Sequence, residues 1–230
     1  MEPISVVYGI PSDTPEYKAE TNGRELPFLL PSTLDLSSFV CRPHADLTPI
    51  LYIGLITLEF PQFYVLVAYT PNAGANDKET KLPKEMARKA EWNTKFEAYL
   101  RILDAVKPIV WTGDQNVVRT ENDIRNWKTN QKSAGCTPAE RAGFESQLNP
   151  TDSAHEPLVD VWRQRNPESA DGYTYFAYRS DCRVKGIGWR LDMMIVSQRI
   201  LDKVTDCEVR AECYGASDHV PLMLDMKLSF

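Results

Sequence analysis

The chain has 230 residues, 43% of them hydrophobic and 25% charged, which predicts one folded domain over residues 1–230 rather than a disordered chain. Its formal net charge of −6 excludes a broad basic coat but leaves room for a local groove that binds phosphate. The sequence shows neither a membrane-spanning apolar run nor a secretory signal, and its five cysteines form no C-x-x-C pair. We therefore expect an intracellular protein with reduced thiols and no membrane partner.

The first part of the chain gives uneven signals. SVVYG at 5–9 is typical of a strand, whereas residues 19–53 show neither helical nor strand periodicity and predict an irregular insert. Two apolar runs, LITLEF and FYVLVAY, meet at Pro61–Gln62 and predict a hairpin. Residues 84–106 place large apolar side chains at three- and four-residue spacing, which predicts a helix that ends before Pro108.

The second half combines apolar strands with a further helix. IVWTGDQNV at 109–117 begins as a core strand, and Thr137, Pro138 and Glu140 predict a helix start with a capping box. Further strands are predicted at 173–178, 189–197, 204–210 and 220–228. Strands and helices in this order predict an α/β fold of stacked sheets flanked by helices.

Polar side chains stand where several of these strands begin or end. Each of them has an ordinary structural explanation, because TGDQN and PNAG are typical turns and a lone histidine is more often structural than catalytic. An acid inside an apolar strand needs a partner. For Asp192 one candidate structural partner is Arg190, which the sequence places equally well on the outside of the fold. The polar residues in question are Tyr69, Asn72, Asp114, Asn116, Asp192, Asp218 and His219.

Taken together, these residues fit a metal-assisted attack on a phosphodiester. The oxygens of Asp114, Asn116 and Asp218 are donors that a hard divalent metal prefers. Asp114 also suits the task of orienting or deprotonating a water molecule. Asp192 suits the task of holding His219 against a phosphoryl oxygen. Tyr69 and the amides of Asn72 and Asn116 supply donors for the other phosphate oxygens.

Six ordered segments resemble the exonuclease III-type apurinic/apyrimidinic (AP) endonucleases of the endonuclease/exonuclease/phosphatase superfamily: VAYTPNAG, TGDQNV, SAGCTPAERAGF, YTYFAY, GWRLDMMIVS and GASDHVPLML. The resemblance covers roughly residues 54–228. It implies a four-layer sandwich of two packed mixed sheets flanked by helices. It also implies a monomeric endonuclease, dependent on Mg²⁺ or Mn²⁺, that cuts double-stranded DNA 5′ to an abasic site in the nucleus or mitochondrion.

The resemblance also implies a role for individual residues. Catalytic roles are implied for Tyr69, Asp114, Asn116, Asp192 and His219. The implied Mg²⁺ site consists of Asp114, Asn116, Asp218 and His219. Contacts with DNA are implied for Asn72, Asn130, Tyr175 and Trp189, of which the last two would line the pocket for the extruded abasic sugar.

This sequence departs from the family pattern at its N-terminus, where the family has a WN-x-x-G motif and a Q-E motif whose glutamate binds metal. We therefore expect an N-terminally truncated domain with part of one sheet missing. The alternative is a catalytically impaired fragment that acts at most as a DNA- or protein-binding remnant. Two groups of cations would support residual DNA contact by such a remnant, and the alternative for each is an ordinary solvated face. They are Arg119, Arg125, Lys128 and Lys132 in one group and Arg179, Arg183, Lys185 and Arg190 in the other.

Overall fold

The computed structural model describes residues 5–8, as backbone only, and residues 54–74, 82–213 and 217–227. The irregular insert predicted at 19–53 lies outside the described residues, so it stays a prediction. None of the helices in the described ranges is long and apolar enough to cross a membrane.

The larger of the two sheets has six strands: β1 (Ser5–Tyr8), β2 (Leu55–Glu59), β3 (Tyr64–Ala68), β4 (Ile109–Asp114), β5 (Leu158–Asp160) and β6 (Asp192–Ser197). Their order in the sheet is β1-β2-β3-β4-β6-β5. Strands β3 and β4 are parallel, because helix α1 (Leu82–Val106) carries the chain back across the sheet between them. The other neighbouring strands are antiparallel.

A short helix, α2 (Trp127–Asn130), precedes a longer one, α3 (Pro138–Leu148), in the sequence. Helices α1 and α3 cover one face of this sheet. The buried cluster between them joins Trp111 and Ile195 of the sheet to Phe96 and Phe144 of the helices. The ring centroids of Phe96 and Trp111 lie 5.0 Å apart, edge to face. Helix α3 begins as predicted, because Thr137 caps it and Glu140 closes the capping box.

The opposite face packs against a second sheet of two antiparallel strands, β7 (Val204–Val209) and β8 (Leu222–Met226). A second buried cluster joins Val110 and Val196 of the six-stranded sheet to Val204 and Cys207 of β7. Helix α4 (Val161–Arg165) adds its apolar side chains to the same cluster. The predicted α/β fold of packed sheets flanked by helices is therefore confirmed.

The strand predicted at 173–178 is wrong. Tyr175 makes only isolated bridges, one to Trp189 and one to His219. The backbone N–H groups of both Thr174 and Tyr175 donate to the carbonyl of Trp189, so no regular ladder continues past them. For the same reason the strand predicted at 189–197 begins only at Asp192.

Arg190 is neither the partner of Asp192 nor an exposed DNA-contacting cation, so both predictions for it are wrong. Its side chain is 1% exposed, and it bonds Asp123 through Nε at 2.6 Å and Asp160 through Nη2 at 2.6 Å. Arg163 binds the same oxygen of Asp123 through Nη2 at 2.5 Å. Burial would raise the pKa of Asp123, but the two guanidinium groups outweigh it and lower that pKa. This network ties β5, α4 and the start of β6 together.

We predict that Arg190→Met lowers the free energy of unfolding by about 3–5 kcal/mol, because it leaves two buried carboxylates without their shared cation. Urea unfolding followed by circular dichroism measures this change. The matched control is Lys95→Met, which removes an exposed ion pair with Glu91 on α1 and should leave the unfolding midpoint unchanged. Equal midpoints for the two variants would contradict a stabilising role for the Arg190 network.

Candidate active site

Two carboxylates are brought together by the pairing of β4 with β6. In this antiparallel pair Asp114 lies directly opposite Asp192, one at the end of its strand and the other at the start. Residues directly opposite each other in an antiparallel pair project to the same face of the sheet. The two side chains therefore occupy one edge of the six-stranded sheet, on the face that carries Val110 and Val196 towards the second sheet.

The environment of Asp114 favours its protonated form. Burial and then the negative charge of Asp192 raise the pKa of Asp114 to about 7. The nearby His219 and the backbone N–H of Asn116, which donates to Asp114 Oδ1 at 2.8 Å, act in the opposite direction. A carboxylate with this pKa can accept a proton near neutral pH.

His219 lies just before β8 of the second sheet and contacts one of the two carboxylates, that of Asp192. Its Nδ1 lies 2.7 Å from Asp192 Oδ2. Burial would lower the pKa of His219, but its hydrogen bond to Asp192 and the negative charges around it raise that pKa to about 9. The side chain is therefore an imidazolium at neutral pH, and Asp192 fixes the orientation of its ring.

The segment around Thr174 joins the two parts of the chain that carry Asp192 and His219. Thr174 Oγ1 accepts hydrogen bonds from the backbone N–H groups of Leu191 and Asp192, each at 2.9 Å. On the other side, the N–H of Val220 donates to the Thr174 carbonyl at 2.8 Å. Sequence analysis missed Thr174, and a single threonine in an aromatic run gives no local signal of this role.

Asn116, two residues beyond the end of β4, occupies a left-handed backbone conformation with φ of 47°. Its side-chain Nδ2 donates to the carbonyl of Thr70 at 2.8 Å, and the N–H of Thr70 donates to the Asp114 carbonyl at 2.8 Å. These bonds tie the end of β4 to the end of the parallel strand β3. The predicted active-site pair Asp114 and Asn116 is thus held in a turn that is bonded at several points.

Tyr69 and Asn72 lie beyond the end of β3, at the same edge of the sheet as Asp114, because β3 and β4 are parallel. Tyr69 is 52% exposed. Asn72 is exposed too, and its Oδ1 accepts a hydrogen bond from the N–H of Gly74 at 2.8 Å, which makes PNAG a side-chain-stabilised turn. Both residues are accessible to a ligand at this edge.

The residues expected to contact DNA fall into two groups. Tyr175 and Trp189 lie beside the site, since Tyr175 bridges to both Trp189 and His219, and its ring centroid is 5.1 Å from that of His219. Asn130 instead ends the short helix α2, where its Nδ2 donates to the Asn126 carbonyl at 2.8 Å. Asn130 is thus bonded within its own segment, and its predicted contact with DNA stays a prediction.

The donor chemistry of the site fits a hard divalent cation, because two carboxylates stand together and the charge of Asp192 helps to raise the pKa of Asp114. Asp114, Asn116 and Asp218 offer oxygen atoms of the kind such an ion prefers. Within the described ranges, no three His, Cys, Asp or Glu side chains gather closely enough to hold a metal ion. The implied metal set therefore stays a prediction.

Comparison with known proteins gives consistent matches. Residues 26–219 match the model of the endonuclease/exonuclease/phosphatase family. A DNA-(apurinic or apyrimidinic site) endonuclease of Dictyostelium discoideum is 41% identical over 168 residues, which are 73% of this chain and 44% of the relative. The DNA repair nuclease APEX1 of Danio rerio is 40% identical over 170 residues, 74% of this chain and 51% of the relative. The chain thus spans about half the length of these relatives.

Solved structures give the same fold. The AP endonuclease LMAP from Leishmania major superposes with a TM-score of 0.66 at 26% sequence identity. The superposed region is 77% of this chain and 55% of the LMAP chain. An AP endonuclease from Archaeoglobus fulgidus superposes with a TM-score of 0.68 over 99% of this chain and 72% of its own. At 20% identity, the second likeness shows the fold alone.

We predict that His219 titrates near pH 9 in the metal-free protein and that Asp192→Asn lowers this pKa, because the neutral amide no longer stabilises the imidazolium. NMR titration of the imidazole resonances in the presence of a chelator measures both values. An unaltered His219 titration in Asp192→Asn would show that Asp192 does not control the charge of this histidine.

Proposed function

Because the chain belongs to the endonuclease/exonuclease/phosphatase family, we propose that it acts as a DNA-(apurinic or apyrimidinic site) endonuclease. Such an enzyme hydrolyses the phosphodiester 5′ to an abasic site in base excision repair. The observation that carries the proposal is the convergence of Asp114, Asp192 and His219 at one edge of the sheet. The 41% identity between this chain and the DNA-(apurinic or apyrimidinic site) endonuclease of Dictyostelium discoideum also supports the proposal.

The side chains at this edge suit the steps of phosphodiester hydrolysis. Asp114, with a pKa near 7, accepts the proton of the attacking water as the water oxygen bonds to phosphorus. The imidazolium of His219 lies where it offsets the negative charge that develops on a phosphoryl oxygen. Asp192 acts through His219 by holding its ring. The bond from phosphorus to the leaving sugar oxygen then breaks, and that oxygen takes up a proton from solvent water to become a hydroxyl.

The family is divalent-metal-dependent, and we assign Mg²⁺, with Mn²⁺ as a substitute, to this site. Bound metal supplies charge neutralisation at the phosphate. In this chain the oxygens of Asp114, Asn116 and Asp218 would hold it, and His219 completes the proposed set only where it has lost its proton, because an imidazolium cannot bind a metal. The pairing of Asp114 with Asp192 supports that assignment, because a cation there relieves the repulsion between two carboxylates.

The proposed substrate is double-stranded DNA with an abasic site, bound by the protein as a monomer. Tyr175 and Trp189 stand beside His219, where aromatic faces suit an extruded sugar. Tyr69 and Asn72 are exposed at the same edge and offer donors to phosphate oxygens. Asn130 is the predicted contact further along the duplex, and nucleus or mitochondrion remains the predicted compartment.

We predict Mg²⁺-dependent nicking of a duplex with one synthetic abasic site by the purified chain, and no nicking after addition of chelator. Asp114→Ala should reduce the single-turnover rate by about 10²–10⁴-fold, since it removes the proton acceptor and a metal ligand. Gel analysis of a labelled strand measures the rate. Asp225→Ala, at an exposed position on β8, is the matched control and should retain full activity.

Two results of this assay would contradict the proposal. Equal rates for Asp114→Ala and the parent chain would assign the nicking to a contaminant or another site. Absence of nicking in the parent chain, with retained binding of the abasic duplex, would instead favour a catalytically impaired DNA-binding remnant.

A further inference from the structure

A buried lysine lies directly behind the turn that carries Asp114 and Asn116. Lys89 belongs to α1, is 2% exposed, and stands in line with the apolar residues Trp92 and Phe96 on the same helix. Its Nζ donates to the backbone carbonyl of Asn116 at 2.7 Å. A charged group on the apolar side of a helix loses its water shell, so its burial needs a specific partner.

That partner is Glu140 of α3, itself 3% exposed. Lys89 Nζ lies 2.9 Å from Glu140 Oε1. The other carboxylate oxygen, Oε2, accepts from the N–H of Gly135 at 2.8 Å and from Thr137 Oγ1 at 2.7 Å. Every oxygen of this buried carboxylate is thus engaged, and the Gly135 carbonyl in turn accepts from the N–H of Val118, just beyond the turn.

Stability alone does not explain the ion pair of Lys89 and Glu140. A buried ion pair loses about as much through desolvation as it gains through attraction, so apolar side chains of the same size would serve the core equally well. The helix cap does not require the lysine either, because Thr137 and Glu140 complete the capping box between themselves. What Lys89 adds is one bond, made to the backbone of Asn116.

This bond acts on the residue that orients the Asp114 carboxylate. Asn116 has φ of 47°, in the left-handed region that few residues other than glycine adopt and that asparagine tolerates better than most. Its carbonyl is held by Lys89, while its own N–H donates to Asp114 Oδ1 at 2.8 Å. A short chain of hydrogen bonds therefore runs from Glu140 through Lys89 and Asn116 to Asp114.

We propose that the buried ion pair of Lys89 and Glu140 is a positioning device that holds the Asn116 peptide and thereby aims the Asp114 carboxylate at the substrate. Lys89 and Glu140 are positioning residues, because they act through Asn116 and stay enclosed between α1 and α3. This inference rests on the proposed phosphodiesterase function. It adds two residues that lie 51 positions apart in sequence and lack any local catalytic motif.

The test compares Lys89→Met, Glu140→Gln and the double variant in the full chain. Each single variant leaves one buried charge unpaired, so its thermal midpoint should fall. The double variant removes both charges, and glutamine at 140 can still close the capping box, so its midpoint should return most of the way to that of the parent. The double variant nevertheless lacks the donor to the Asn116 carbonyl.

On an abasic duplex, the double variant should therefore keep a kcat reduced by about 10–100-fold, with KM for the DNA changed less than about threefold. Lys89→Arg, which keeps a buried cation with donors, should restore part of kcat. Lys95→Met, the exposed lysine of the same helix, is the control and should match the parent. A double variant with parental midpoint and parental kcat would overturn the proposal and leave a purely structural ion pair.

A second measurement needs neither metal nor DNA, and it separates this inference from the proposed function. Amide hydrogen exchange of the peptide covering 113–118 should be faster in the double variant than in the parent, while exchange in the centre of α1 stays the same. Unchanged exchange at 113–118 would overturn the positioning role even in an active enzyme. If the parent chain does not nick DNA, faster exchange still supports the positioning of the turn, and only the proposed function fails.

Discussion

The arrangement of the site depends on the register between β4 and β6. Trp111 pairs with Ile195 in that register, and both are fully buried under the helices. Side chains alternate along a strand, so fixing this apolar pair on one face fixes Asp114 opposite Asp192 on the other. A slip by one residue would turn Trp111 away from its helical cluster, which makes the polar pair a consequence of apolar packing.

The second sheet completes the site, because it supplies the histidine. The face that carries Asp114 and Asp192 also carries Val110 and Val196, which pack against β7. His219 stands just before β8, where it bonds Asp192 directly and acts on Asp114 through its charge. The Thr174 segment connects both sides, so neither sheet alone can form the cluster.

Local pattern predicts those parts of the structure whose causes are local. Apolar spacing predicted α1 and the hairpin of β2 and β3, and the residues at the strand ends are brought together at one edge. The aromatic run at 173–178 looks like a strand by composition, yet its bridges go to two separate segments, one residue at a time. From the sequence, Lys89 looks like an ordinary solvent-exposed lysine, because its partner Glu140 is distant along the chain.

Two buried cations stand behind the two acidic residues of the site, in a chain whose net charge is negative. Arg190 anchors the segment that leads into Asp192, and Lys89 anchors the turn that follows Asp114. The Arg190 side chain bonds the carboxylates of Asp123 and Asp160, and Lys89 bonds Glu140 and the Asn116 carbonyl. Neither cation bonds directly to the acid that it supports, although the charge of Lys89 acts to lower the pKa of Asp114. Burial of Asp114 and its repulsion by Asp192 therefore leave Asp114 with a raised pKa, which makes this edge of the sheet receptive to a proton or a metal ion.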